Sequence, residues 1–115
     1  MANTFKVITK AGVTSADVIY TVAGSTTTIV LGLMVGNTTA GAITSSVALG
    51  TDTAARAENN DAANQTVNLI ASAAIPANSS LELMAGNKIV METTDTLSVT
   101  GSDTVDVTIS VMEMT

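Results

Sequence analysis

Apolar and polar residues alternate along much of the chain, most plainly near its end. There Val105, Val107, Ile109 and Val111 fall on one side, and Thr104, Asp106, Thr108 and Ser110 on the other. A period of two marks a half-buried strand. The same pattern predicts a strand through Phe5 and Val7 and another through Val18, Tyr20 and Val22, joined by Gly12 and Thr14-Ser15. Ile29 to Val35 is apolar on both faces, as for a strand with core on one side and a neighbouring subunit or loop on the other. Its central Gly32, and the turn residues Thr26-Thr27-Thr28 and Gly36-Asn37 around it, favour strand over buried helix. Alternation returns at Ile43, Ser45, Val47 and Leu49 and again from Val67 toward Ile75. A short strand is expected at Leu81-Glu82-Leu83. Lys88 to Glu92 and Leu97 to Thr100 read as a hairpin closed by Thr93-Thr94-Asp95.

About nine short strands with Thr, Gly and Asn at the corners predict an all-β chain. The expectation is a single β-sandwich domain over residues 1–115, jelly-roll or immunoglobulin-like in its connections. One stretch breaks the pattern. Thr51 to Asn64, centred on Ala54-Ala55-Arg56-Ala57-Glu58-Asn59-Asn60-Asp61, has no period of two and is expected to be a long surface loop. Unstructured loops of this length in compact domains commonly bind something or lie against a neighbour.

Composition narrows the function classes. With 115 residues there is room for one core. No His and no Cys are present, which removes imidazole and thiolate nucleophiles, zinc and haem ligation and disulfides. The formal charge is −6, and the four cations Lys6, Lys10, Arg56 and Lys88 are scattered, so neither nucleic acid nor an anionic membrane is an expected partner. The longest apolar run, Ile29 to Val35, is far short of the ~18 residues of a spanning helix. The opening Met1-Ala2-Asn3-Thr4 carries no secretory pattern and reads as a mature start. The triplets at Asn37, Asn64 and Asn78 fit the glycosylation pattern, but are what an Asn- and Thr-rich chain gives by chance.

Catalysis would have to come from carboxylates, Lys or Tyr20. Glu92 and Asp95 flank a turn, while Asp103 and Asp106 are three apart on a strand and fall on opposite faces. Neither pair is expected to converge, and no catalytic, cofactor-binding or metal residue is assigned. The one cation arrangement left open is an ion between subunits at Asp52, Glu58 or Asp61. The two aromatics, Phe5 and Tyr20, sit on the apolar sides of their strands and read as core, not as a sugar-stacking platform. Gly32 and Gly36 are expected to mark close backbone approach. Met84 and Met91 read as core filling, and Met112 and Met114 as outward-facing contact residues.

Several segments together carry a family resemblance. They are Met1 to Lys6, Ile19-Tyr20-Thr21-Val22, Thr26 to Leu33, Ile75-Pro76-Ala77-Asn78-Ser79-Ser80-Leu81-Glu82-Leu83, and Gly86-Asn87-Lys88-Ile89-Val90 with the closing Val-x-Val-x-Ile strand. In these the chain resembles small virion structural proteins of tailed bacteriophages, marine cyanophage-like ones in particular. The resemblance implies a capsid decoration or cement protein, made in the host bacterial cytoplasm and carried on the capsid surface. Its partners would be the major capsid protein and copies of itself, with a trimer favoured. A tail, collar or baseplate component and a receptor- or glycan-binding module are the alternatives. Departure from one-face-buried alternation places the expected contacts on three regions: the first strand (Phe5, Lys6, Ile8, Lys10), the outward side of Val30 and Met34, and the loop (Arg56, Glu58, Asn59, Asn60). Met112 and Met114 complete the set.

Overall fold

The computed structural model describes residues 2–52, 64–84 and 86–115. Nine strands form among them: β1 (Asn3–Val13), β2 (Asp17–Thr21), β3 (Thr27–Asn37), β4 (Ile43–Thr51), β5 (Gln65–Ile75), β6 (Ser80–Glu82), β7 (Ile89–Met91), β8 (Thr96–Gly101) and β9 (Val105–Met114). One antiparallel sheet runs β1-β9-β3, with β6 and β7 sharing the far side of β3. The other runs β2-β8-β4-β5. Each strand pairs with its counterpart from the other end of the chain: β1 with β9, β2 with β8, β3 with β6 and β7, β4 with β5. The chain is thus one long hairpin, bent at the β4–β5 connection and rolled into a sandwich. That is jelly-roll connectivity; an immunoglobulin sandwich pairs more sequence neighbours. The predicted hairpin of residues 88–100 is not one, because β7 joins β3 in one sheet while β8 lies between β2 and β4 in the other. Thr93-Thr94-Asp95 therefore turns a corner between sheets. Arg56, Glu58, Asn59 and Asn60 lie outside the described residues, which resume at Asn64.

The core sits between the sheets, and β9 supplies much of it. Val105, Val107, Ile109 and Val111 are each at most 1% exposed, and each such burial contributes about 1.5–3 kcal/mol of transfer free energy. Facing them are Val47 of β4 and Leu97 and Val99 of β8, all fully buried. β9 also dictates how its neighbours face. Lys6, Ile8 and Lys10 lie opposite the inward Val111, Ile109 and Val107, so β1 turns its even positions inward. Phe5 is consequently 72% exposed and is not core, contrary to the sequence expectation. In β3 the register against β9 slips between Val30 and Gly32. This β-bulge adds Leu31 and reverses the facing of everything beyond it. Val30 and Met34, expected on one outward face, therefore part company: Val30 is fully buried and Met34 is 42% exposed.

Two polar ties hold the layers in place. At one end Tyr20 of β2 reaches across to the other sheet and donates its phenol proton to Glu113 of β9 at 2.5 Å. Thr28 of β3 lies 2.7 Å from the same phenol oxygen, and with the phenol proton already given, the Thr hydroxyl is the donor. Lys6 of β1 completes the group with its Nζ 2.9 Å from Glu113. At the other end Asn37, 3% exposed, donates its side-chain amide to the carbonyls of Gly41, Ile75 and Pro76 and accepts from the Thr39 amide and hydroxyl. It fastens the β3–β4 turn to the β5–β6 turn. In the glycosylation-like triplet the Asn37 side chain is thus buried and committed to structural hydrogen bonds.

The Tyr20 group couples stability to pH in both the acid and the alkaline range. The hydrogen bond from Tyr20, then that from Lys6, holds the Glu113 carboxyl below its ordinary value of 4.5. Its contribution is complete above the unfolded value and is lost as pH falls through the folded one. Burial, then the hydrogen bond to Glu113, pushes the Tyr20 phenol from 10.0 up to about 12. That contribution is complete below the unfolded value and is lost as pH rises through the folded one. Urea unfolding across pH should show a plateau between roughly 4.5 and 10 with a decline on either side. Tyr20→Phe should lower the plateau by about 1–3 kcal/mol and flatten the alkaline decline, and Glu113→Gln should flatten the acid one. Declines unchanged by these variants would mean that other groups set the limits.

Candidate interaction surfaces

The register of β9 that fills the core also builds the opposite, outer face of its sheet. Residues paired across neighbouring strands share a face. Phe5 lies opposite Met112, Met112 opposite Ile29, and Ile29 opposite Val90, so one apolar row crosses β1, β9, β3 and β7. Its ends are open: Phe5 is 72% exposed and Val90 58%, with Met112 and Ile29 half-buried between them. Val7, also largely exposed, lies opposite Ser110, which in turn lies opposite Gly32. One row further on, Thr9, Thr108 and Met34 line up with Glu82 of β6. The face is therefore apolar at the Phe5 row and becomes Ser- and Thr-rich away from it, with Met114 and Asn3 beyond the other side.

Gly32 and Gly36 open onto this face. A Cβ at either would find its nearest neighbour at 3.8 Å, an ordinary contact, so the expected close backbone approach is not there. Gly101 and Gly50 are the crowded glycines instead, since a Cβ would clash with the Asp103 carbonyl at the first and with the Thr96 hydroxyl at the second. What Gly32 and Gly36 provide is a flat stretch of sheet without side chains beside Met34.

The sequence-predicted contact residues separate accordingly. Phe5, Met34, Met112 and Met114 all belong to the outer face. Val30 is buried beneath it. Lys6 and Ile8 face inward, Lys6 bound to Glu113 and Ile8 packed against the core. Lys10 lies 3.8 Å from Asp17 of β2 across the margin where the two sheets meet, both groups about half exposed, a pairing of small energetic weight. Ile29, Val7 and Val90 are the face residues that alternation missed. Only the pairing register identifies them, and that register depends on residues more than 60 positions away.

Among the described residues, Asp95, Asp103 and Asp106 each accept hydrogen bonds from backbone amides. Asp95 is 1% exposed, and its carboxylate accepts from the backbone amides of Asp52 and Glu92 at 3.2 and 2.9 Å. It pins the corner between β7 and β8 to the end of β4. Asp103 accepts from Thr104, and Asp106 accepts from the Gly12 amide at 3.0 Å, so this pair diverges. Among the described residues, no three carboxylates approach closely enough to hold a metal ion.

Two depressions mark the surface. A polar cleft of about 310 Å³ lies at the base of the β4–β5 connection, among Gly50, Asp52, Asn64, Gln65, Thr94 and Thr96. A more apolar groove of about 400 Å³ lies between β5 and the β6–β7 segment, lined by Leu69, Ile70, Leu83, Met84 and Ile89 with Glu82 and Asn87 at its edge.

No family model matches the chain, and no curated protein does. Among solved structures it is similar to a chain from work titled "Bacillus endospore appendages form a novel family of disulfide-linked pili", with 14% identity, 97% of this chain and 84% of that chain covered, and a TM-score of 0.49.

Proposed function

We propose that this chain is a non-enzymatic structural subunit of a multi-copy particle, and that it acts as a capsid decoration or cement protein on the surface of a tailed-phage shell. The observation that carries the reading is the outer face of the β1-β9-β3 sheet, where Phe5, Met112, Ile29 and Val90 form an apolar row that no other part of the described chain covers. Contiguous apolar surface of this kind marks an interaction site. The resemblance to small virion structural proteins supplies the partner, the major capsid protein.

The physics of such a role asks little of the chain besides folding and docking. A protein that binds the assembled shell and not its free subunits stabilises the shell by mass action. Many symmetric copies then multiply a modest affinity at each site. The face suits this: an apolar centre around Phe5 and Met112, and a rim of Thr9, Thr108 and Ser110 that hydrogen-bonds at the margin. Phe5 is the side chain with most to gain, because an exposed aromatic that becomes fully desolvated contributes strongly to binding.

Quantitative mass spectrometry of purified particles should find this polypeptide in a simple ratio to the major shell protein. Phe5→Lys should reduce attachment by about tenfold or more with little change in the melting temperature of the isolated chain. A ratio of a few per hundred would move the protein to the tail, and full attachment by Phe5→Lys would remove the face from the contact.

A further inference from the structure

The two long edge strands of the sandwich differ in a way that points to a second surface. β1 and β5 each have 11 residues and, among the described residues, one unpaired side. β1 carries Lys6 and Lys10 on its inward face, both in ion pairs, and inward-pointing charge is a standard guard against further strand pairing. β5, Gln65-Thr66-Val67-Asn68-Leu69-Ile70-Ala71-Ser72-Ala73-Ala74-Ile75, has no charge and no proline. Its core-facing side is buried at Ile75 but only partly covered toward its start. Val67 lies opposite Leu49, which lies opposite the fully buried Leu97, so Val67 faces the core side, yet it is 47% exposed. Leu69 and Ile70, neighbours in sequence, both line the groove, because an extra residue enters β5 between Asn68 and Ile70. The other wall of that groove is Leu83, Met84 and Ile89, beside the two three-residue strands β6 and β7.

We infer that β5 is a self-pairing edge, and that two copies of this chain associate through it about a two-fold axis to make one continuous eight-stranded sheet. Two-fold antiparallel pairing of an edge with its own copy sets residues equidistant from the axis against one another, so the charges of one edge face those of the other. β5 is the long edge where this sets no charge against its like, a requirement that matters in a chain of net charge −6. Extending the sheet by a second β5 also extends its inward layer. Val67, Leu69 and Ile70 of each copy then lie over the mouth of the other's groove, against Leu83, Met84 and Ile89. Glu82 is exposed at the rim and stays solvated. The contact is narrow and interrupted where β5 bulges at Leu69 and around Ser72, so the dimer is concentration-dependent. It is an alternative to the trimer expected from the sequence, and it does not depend on the shell-binding proposal.

Sedimentation velocity on the isolated chain over a micromolar to millimolar series tests this. A monomer–dimer equilibrium is expected. Val67→Lys should weaken it by about tenfold or more without lowering the melting temperature, since Val67 is already half exposed. Val7→Lys, on the outer face of the edge strand β1, should leave it unchanged. A monomer at every concentration, a trimer, or a dimer insensitive to Val67→Lys would overturn the inference. All three readouts are made without particles, so their outcome is separate from that of the shell-binding proposal.

Discussion

The register of β9 between β1 and β3 is the constraint on which the rest of the molecule depends. Four aliphatic side chains at alternate positions must be buried, and a slip of one residue would expose all of them. Once Val105, Val107, Ile109 and Val111 face the core, the facing of both neighbours is settled. In β1 this overrides a local pattern that is nearly balanced, with Phe5 and Val7 on one side and Ile8 on the other. The larger aromatic is turned to solvent because its strand partner is Met112, not because its own neighbours prefer it there. The same alternation carries Glu113 inward, where Tyr20, Thr28 and Lys6 satisfy it. A buried carboxylate without such partners would be strongly destabilising.

The sandwich is closed unequally. On the side of β1 and β2, Lys10 and Asp17 bridge the margin and the Tyr20 group ties the layers beneath it. On the other side, β3 is flanked only by two three-residue strands, and β5 extends past them. The groove follows from that mismatch in length. One molecule therefore offers two kinds of surface: a flat apolar face made by side chains, and an uncharged edge made by backbone. They point in different directions, so a copy docked through its face keeps its edge available, which is the geometry that a lattice of subunits on a larger surface requires.

Much of the fold was legible in the alternation. Each of the nine strands overlaps the segment where the pattern puts it, because half-buried strands leave a period of two that depends only on local sequence. Even so, β1 runs on through Gly12, and β3 takes in Thr27, Thr28, Gly36 and Asn37, which read as turn residues. The strand order was not legible, since alternation does not say which sheet a strand joins, and residues 88–100 were misread as a hairpin for that reason. Bulges were hidden as well. The extra residue at Leu31 exists only relative to β9, and it separates Val30 from Met34. Of the outer-face residues, Met34, Met112 and Met114 could be read as outward from the sequence, whereas Phe5, which its own strand's alternation puts in the core, and Ile29, Val7 and Val90 needed the register. Tyr20 and Glu113, 93 residues apart, carry no local signal that they meet.

The bulge and the β9 register can be tested together through thiol reactivity, because the chain has no cysteine of its own. Single cysteines at Val30, Leu33 and Met34 would be labelled under native conditions and compared with the unfolded chain. Strong protection at positions 30 and 33, with rapid labelling at 34, is the result that the facing described above predicts. Equal reactivity at 30 and 34 would mean that β3 runs without the bulge, and the outer face would then be composed of different residues.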